Sequence, residues 1–273
     1  TPTQTETAGG RAEWTPHPGA SRQYQFNGTS ALIAGATGGL GSAIATELHA
    51  RGAELTLVGR TDDKLSELPV AGSRLALDLR IPESCEQAVE ASLRHHGRLD
   101  VVVNATGVVA FGSVADLSVD TLEELMLTNA MLPVMLAKAA LPHMSRGGVM
   151  VNISGVIAEK NLPGMAAYGA SKAALRAFDE ALAREARRAG VRVIDARPPH
   201  TETELSQHPI EGRAPKLPAG LDPTVVARVM CDAMADGTRD LPSEAFTQAS
   251  ADMEPRSARS GSTASEEKVE VTS

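Results

Sequence analysis

The chain has 273 residues, 42% of them hydrophobic and 22% charged, which is enough for one large α/β domain with a full core. Its formal net charge of −8 excludes a sequence-independent nucleic-acid binder, which needs a basic face. No apolar run is read as a membrane span, and the two cysteines have neither CxxC nor metal spacing. A cytoplasmic protein with no metal and no membrane contact is expected.

Residues 1–26 are rich in Thr, Gly and Pro, and residues 247–273 in Ser, Ala and Glu. Both segments are expected to be disordered, because neither carries enough apolar surface to offset the entropy of ordering. The domain is therefore placed at 27–246. Within it, short apolar runs alternate with helical spacing. Runs at 29–34, 55–58, 74–77, 101–103, 149–153 and 191–196 read as buried strands. Stretches 40–50, 83–95, 121–144, 165–188 and 223–235 read as helices. Pro133 predicts a kink in the third of these, Gly190 closes the fourth, and Asp222 is placed to cap the last. Alternation of this kind implies a single-domain Rossmann fold: a doubly wound parallel sheet with helices on both faces. Aromatic residues make up only 3% of the chain, so the core must be built mainly from aliphatic side chains and Met.

The segment 35–41, Gly-Ala-Thr-Gly-Gly-Leu-Gly, joins the first strand to the first helix. Gly35 permits a tight turn, Gly39 a close approach to a pyrophosphate, and Gly41 close packing of helix on strand. The helix start offers unpaired N–H groups and the positive end of its dipole. Gly35, Thr37, Gly39, Leu40 and Gly41 are thus candidates for binding a dinucleotide. The second strand ends in Gly59-Arg60, with no carboxylate to hold a ribose 2′-hydroxyl. Arg60 instead suits a 2′-phosphate, which favours NADP over NAD; the other reading is a solvated loop arginine. Asp62 or Asp63 would reverse that preference if either reached the ribose, although both read as first-turn helix residues. Asp78-Leu79 follows the third strand, where an acid can accept from an adenine amino group or simply shape the turn before Pro82.

Tyr168 and Lys172 stand at i and i+4 on one helix face. A neighbouring ammonium favours the phenolate and is expected to lower the tyrosine pKa. The phenol would then give a proton to a carbonyl oxygen as hydride arrives at carbon, or take one from an alcohol. The lysine can also hold nicotinamide ribose hydroxyls.

Together these motifs resemble the short-chain dehydrogenase/reductase family. The resemblance runs from about residue 27 to 236 and includes the glycine loop, Asp78, the 104–107 segment Asn-Ala-Thr-Gly, Asn129, Ser154 and the Tyr168/Lys172 pair. It implies a small-molecule carbonyl or alcohol substrate, an NADP cofactor and a homo-oligomer, dimer or tetramer. It further implies that Asn104 and Gly107 lie beside the cofactor and that Asn129 holds a water linking Lys172 to solvent. Ser154 would bind the substrate oxygen with Tyr168, and the Arg197-Pro198 turn and Thr203 would cover the nicotinamide.

The chain departs from the family pattern in specific places. Gly155 occupies the usual serine position, so Ser154 can substitute only if the backbone turns locally, since strand neighbours face opposite ways. Pro198-Pro199 replaces the usual Pro-Gly and stiffens the approach to a substrate lid over 201–221. Residues 237–246 stand in place of the family's closing strand, which favours a dimer through the helices at 121–144 and 165–188. The alternative to an active oxidoreductase is an NADP(H)-binding sensor or a catalytically impaired relative.

Overall fold

The computed structural model describes residues 24–253. Its seven strands are β1 (Ser30–Ala34), β2 (Glu54–Gly59), β3 (Ser73–Ala76), β4 (Val101–Asn104), β5 (Val149–Ile153), β6 (Arg192–Ala196) and β7 (Asp240–Leu241). All pair in parallel, in the order β3-β2-β1-β4-β5-β6-β7. The direction of winding reverses between β1 and β4, which opens a crevice at the carboxyl ends of these strands. The helices are α1 (Gly39–Ala50), α2 (Asp62–Ser66), α3 (Pro82–His96), α4 (Val119–Met126), α5 (Leu132–Ala140), α6 (Ala166–Glu185), α7 (Pro223–Asp236) and α8 (Ser243–Met253). This is the doubly wound, single-sheet Rossmann architecture.

The strands read as continuous apolar runs because both faces are covered. On one face Ile33, Val103, Val151 and Ile194 pack beneath α1, α7 and α8, with Ile44, Leu48, Met230 and Phe246 filling the layer. On the other, Leu32, Val102, Met150 and Val193 meet Val89, Leu136 and Leu182 from α3, α5 and α6. Each fully buried aliphatic chain of this kind contributes roughly 1.5–3 kcal/mol. The loops at the opposite, amino edge of the sheet are short. There α3 ends at Gly97 and the α6 segment at Gly190, both in the left-handed conformation that lets glycine stop a helix.

Two expected boundaries are corrected. Phe26, placed in the leading segment, is 4% exposed and meets Tyr24 edge-on, with the Arg51 guanidinium over its ring. At the other end, α8 continues to Met253, past the expected limit at 246, because Phe246 anchors it in the core. The rest of both terminal segments lies outside the described residues. The expected absence of a closing strand is also corrected. Strand β7 is present but has two residues, too few to show as a periodic pattern.

The helical stretch at 121–144 is four pieces. A π-turn, Leu127–Met131, separates α4 from α5, and a 3₁₀ turn follows. Pro133 explains the break: it has no N–H and its ring clashes with the carbonyl four residues back, that of Asn129. By length and composition, Val119–His143 is long and apolar enough to cross a membrane, which the sequence reading did not recognise. Here half of it is buried, with Leu125, Leu132 and Leu136 in the core.

Candidate active site

The glycine loop packs as tightly as its sequence demands. Gly35 has φ +77°, and a Cβ there would stand 2.9 Å from the Ala105 carbonyl and the Thr106 nitrogen. A Cβ on Gly41 would lie 2.1 Å from the Gly35 oxygen. No side chain caps the start of α1, so its first-turn N–H groups point into the crevice without a capping partner. Leu40 packs its side chain on the core, leaving only its backbone to face that crevice. Thr37 touches the end of β2, where a Cβ on Gly59 would come within 2.8 Å of its methyl. Thr203 reaches over Gly39, whose Cβ would stand 3.0 Å from the Thr203 methyl. A backbone-lined cradle that side chains would fill, at an uncapped helix N-terminus, fits a pyrophosphate.

At the adenosine end Arg60 is exposed. The Arg80 guanidinium grips both Asp78 oxygens, 2.9 Å from Nε to Oδ1 and 2.6 Å from Nη2 to Oδ2, and holds the Asp78 carboxyl below the usual carboxylate range, with a smaller contribution from the charge of Arg60. Arg80 also donates to Glu124 at 2.9 and 3.0 Å, tying this corner to α4. Leu79 is buried in the core. Asp62 and Asp63 occupy the first turn of α2.

At the centre of the sheet, Asn104 is buried and its Oδ1 accepts from the Thr106 nitrogen and hydroxyl at 3.2 and 2.6 Å. Its Nδ2 has no partner, an orphaned donor next to the crevice. Gly107 leaves room for two further groups: a Cβ there would be 3.4 Å from both Asn129 Oδ1 and Lys172 Nζ. Asn129 sits in the π-turn and is fully buried. Its Oδ1 accepts from the Val108 nitrogen at 2.9 Å, while its Nδ2 donates to the Val108 oxygen at 2.9 Å and to Ser171 Oγ at 3.0 Å. Ser171 in turn donates to the Tyr168 carbonyl at 2.7 Å. The Asn129 amide thus fastens α6 to the turn after β4.

Tyr168 and Lys172 lie one turn apart on α6. Lys172 is 5% exposed and donates to the Ile153 carbonyl at 2.8 Å. Burial brings its pKa down to about 8, with Asp195 and Asp179 opposing that shift. Burial alone pushes the Tyr168 phenol up to about 12. The expected depression by Lys172 is therefore not found: desolvation disfavours the phenolate, and the ammonium is turned to a backbone carbonyl.

Ser154 is also corrected. It is fully buried and its hydroxyl donates to Asp195 Oδ1, so the hydroxyl is spent inside the fold. Gly155 does turn the chain, with φ +81°, and the nearest atom to a Cβ there is the Pro198 oxygen at 3.8 Å. At the position where the family carries its serine, a Cβ would meet nothing nearer than that oxygen, in a backbone conformation that favours glycine. Pro198 itself accepts from the Val156 nitrogen at 3.0 Å. Beyond it the lid folds on itself, with Thr201 paired to Leu221, and lines a cavity of about 550 Å³ with His200, Glu202, Arg213 and Leu217.

Sequence reasoning missed the buried carboxylates next to this site, Asp179 and Asp195, and did not foresee that the Arg197 side chain turns into the fold to meet Asp195. The signal was present, since Asp195 interrupts an apolar strand and Asp179 falls on the buried face of α6. Asp179 accepts from Asn152 at 2.6 Å, its second oxygen has no partner, and burial raises its pKa well above the usual range.

A model of the short chain dehydrogenase family matches residues 29–213. The chain belongs to the short-chain dehydrogenase/reductase family. It is accordingly an NAD(P)-dependent oxidoreductase. Dehydrogenase/reductase SDR family member 7B of Bos taurus is 33% identical over 232 residues, covering 77% of this chain and 71% of that protein. An uncharacterised oxidoreductase of Staphylococcus epidermidis is 29% identical over 195 residues, covering 69% and 85%. Among solved structures, a short-chain dehydrogenase from Burkholderia cenocepacia in complex with NADP has a TM-score of 0.71 at 25% identity, covering 81% of this chain and 98% of its own. A blue fluorescent protein from a metagenomic library, in complex with NADPH, has a TM-score of 0.71 at 26% identity, covering 82% and 99%.

Proposed function

We propose that this family member reduces a carbonyl group of a small molecule with NADPH, with Tyr168 as the proton donor, and can oxidise the corresponding alcohol. The observation that carries this reading is the helical pair of Tyr168 and buried Lys172 facing the carboxyl edge of the sheet. Burial keeps the Tyr168 phenol in its protonated form at neutral pH, the form that can give a proton to a carbonyl oxygen. When bound, the nicotinamide supplies the hydride, and the protein supplies orientation and the proton.

Gly35, Thr37, Gly39, Leu40 and Gly41 would hold the pyrophosphate, Asp78 and Leu79 the adenine, and Asn104, Gly107, Pro198 and Thr203 the nicotinamide half. Lys172 would hold the ribose hydroxyls. Asn129 would keep α6 in register with that ribose. Arg60 supports NADP over NAD, because it is an exposed cation at a strand end that lacks a carboxylate. A homodimer through the helical surfaces of α4 to α6 completes the proposal.

The deciding experiment is a fluorescence titration with NADPH and NADH, followed by turnover on a panel of ketones, aldehydes and secondary alcohols. Tyr168→Phe should abolish turnover and leave NADPH binding within about threefold, because it removes the proton and little of the binding surface. Unchanged turnover would overturn the proposal. Arg60→Ala should narrow the preference for NADPH. The open position at Gly155 favours a second reading, a cofactor-binding sensor. NADPH binding with no turnover anywhere on the panel would select it.

A further inference from the structure

We infer that Arg197 is a positioning residue, which fixes the end of β5 where it carries both the open backbone at Gly155 and the carbonyl that holds Lys172. The kinetic arm of this inference rests on the function proposed above.

The guanidinium is 4% exposed and meets three carboxylates at once. Its Nε donates to Glu159 Oε1. Its Nη1 donates to Asp195 Oδ2 and Asp240 Oδ1, each at 2.6 Å, and its Nη2 to Asp240 Oδ2 at 3.0 Å. Each contact reaches a different element. Glu159 lies on the turn after Gly155, Asp195 on β6, and Asp240 on β7. Two serines extend the knot: Ser154 donates to Asp195, and Ser243 at the start of α8 donates to Glu159 at 2.9 Å.

This knot matters because backbone pairing thins out at the same place. The nitrogens of Ser154 and Gly155 share one acceptor, the Ala196 oxygen, at 3.1 and 3.2 Å. Past them only the Val156 nitrogen bonds back to the 195–198 strand end, at the Pro198 oxygen. Gly155 is free to adopt many conformations, so its observed φ must be imposed by its surroundings. Glu159, held by Arg197, imposes it from the far side of the turn. Ile153, one residue before Ser154, provides the carbonyl that Lys172 grips. Movement of this strand end therefore moves the ammonium. The same knot accounts for the spent serine: Asp195, fixed by Arg197, draws the Ser154 hydroxyl away from the substrate side.

The test compares Arg197→Met and Arg197→Lys with the unaltered protein by hydrogen exchange without cofactor, NADPH titration, and steady-state kinetics on the best panel substrate. In Arg197→Met, amides at 153–159 should exchange at least about tenfold faster while those of β1 and β2 stay unchanged, as in local opening. Its kcat should fall at least about 30-fold with the NADPH Kd within about threefold, and Arg197→Lys should recover part of the loss. The inference is overturned if exchange at 153–159 is unaltered, if kcat stays within about threefold, or if the loss lies wholly in NADPH binding. Should Arg197→Met not fold, Glu159→Gln decides by the same two measurements. Should the unaltered protein turn over nothing on the panel, the function proposal fails, and hydrogen exchange alone decides this one.

Discussion

At Lys172, burial and neighbouring charge act in opposite directions and burial wins. The folded pKa of about 8 lies below the ordinary lysine value of 10.5. Between those values the unfolded chain binds a proton at Lys172 that the folded chain does not, so the contribution of Lys172 to stability rises with pH. Burial acts the other way at Cys85 and Cys231 from about pH 9, where the unfolded thiols ionise and the folded ones do not, and at Tyr168 above about pH 10. The effect of Lys172 is therefore read as a difference between pH 8 and 10. Across that range the urea midpoint of the unaltered protein should gain on that of Lys172→Met, with a full difference of at most roughly 3 kcal/mol. A slope unaffected by the substitution would mean that Lys172 is not desolvated. Ser154→Ala tests the neighbouring claim. Turnover should stay within about threefold, and stability should fall by about 1–2 kcal/mol for the lost bond to a carboxylate. A large fall in kcat alone would return the hydroxyl to the substrate.

At the scale of elements, the helical stretch from α4 to α5 shows how a sequence pattern can be right and incomplete. Pro133 was legible as a disturbance. Its form, a π-turn presenting Asn129 to α6 and to the turn after β4, depends on which neighbour accepts the displaced groups, and periodicity carries no such information. The Asn129 side chain makes three hydrogen bonds in a buried place. Asn129→Ala should destabilise the fold by about 2–4 kcal/mol in urea unfolding, since Val108 and Ser171 would be left unpaired. The same reasoning explains why Asp179 and Asp195 were missed as a group. Asp179 lies on the buried face of α6 and Asp195 in a buried strand, and only the packing of α6 on β5 and β6 brings the two carboxylates near Lys172.

For the molecule as a whole, the parallel sheet and its two helical layers were readable because strand after strand is a short, mainly apolar run. The glycine loop and the Tyr168/Lys172 pair were readable because each is local. The carboxy-terminal closure was not. Strand β7 has two residues, and α8 carries few apolar positions, of which Phe246 is fully buried. Phe246→Ala should cost about 3–5 kcal/mol, read as a lowered urea midpoint, if α8 is an integral part of the core. A loss below about 1 kcal/mol would mean that α8 is peripheral.

The glycine-closed turns at the amino edge of the sheet have a practical consequence. Gly97 and Gly147 stand on that edge in left-handed backbone, with nothing within 4 Å of where a Cβ would be. Everything assigned to chemistry lies at the opposite edge, across the full length of the strands. A surface tether, an affinity handle or an inserted reporter domain grafted at these turns would leave the crevice facing solvent. The enzyme can thus be immobilised in a chosen orientation, with its mouth turned outward.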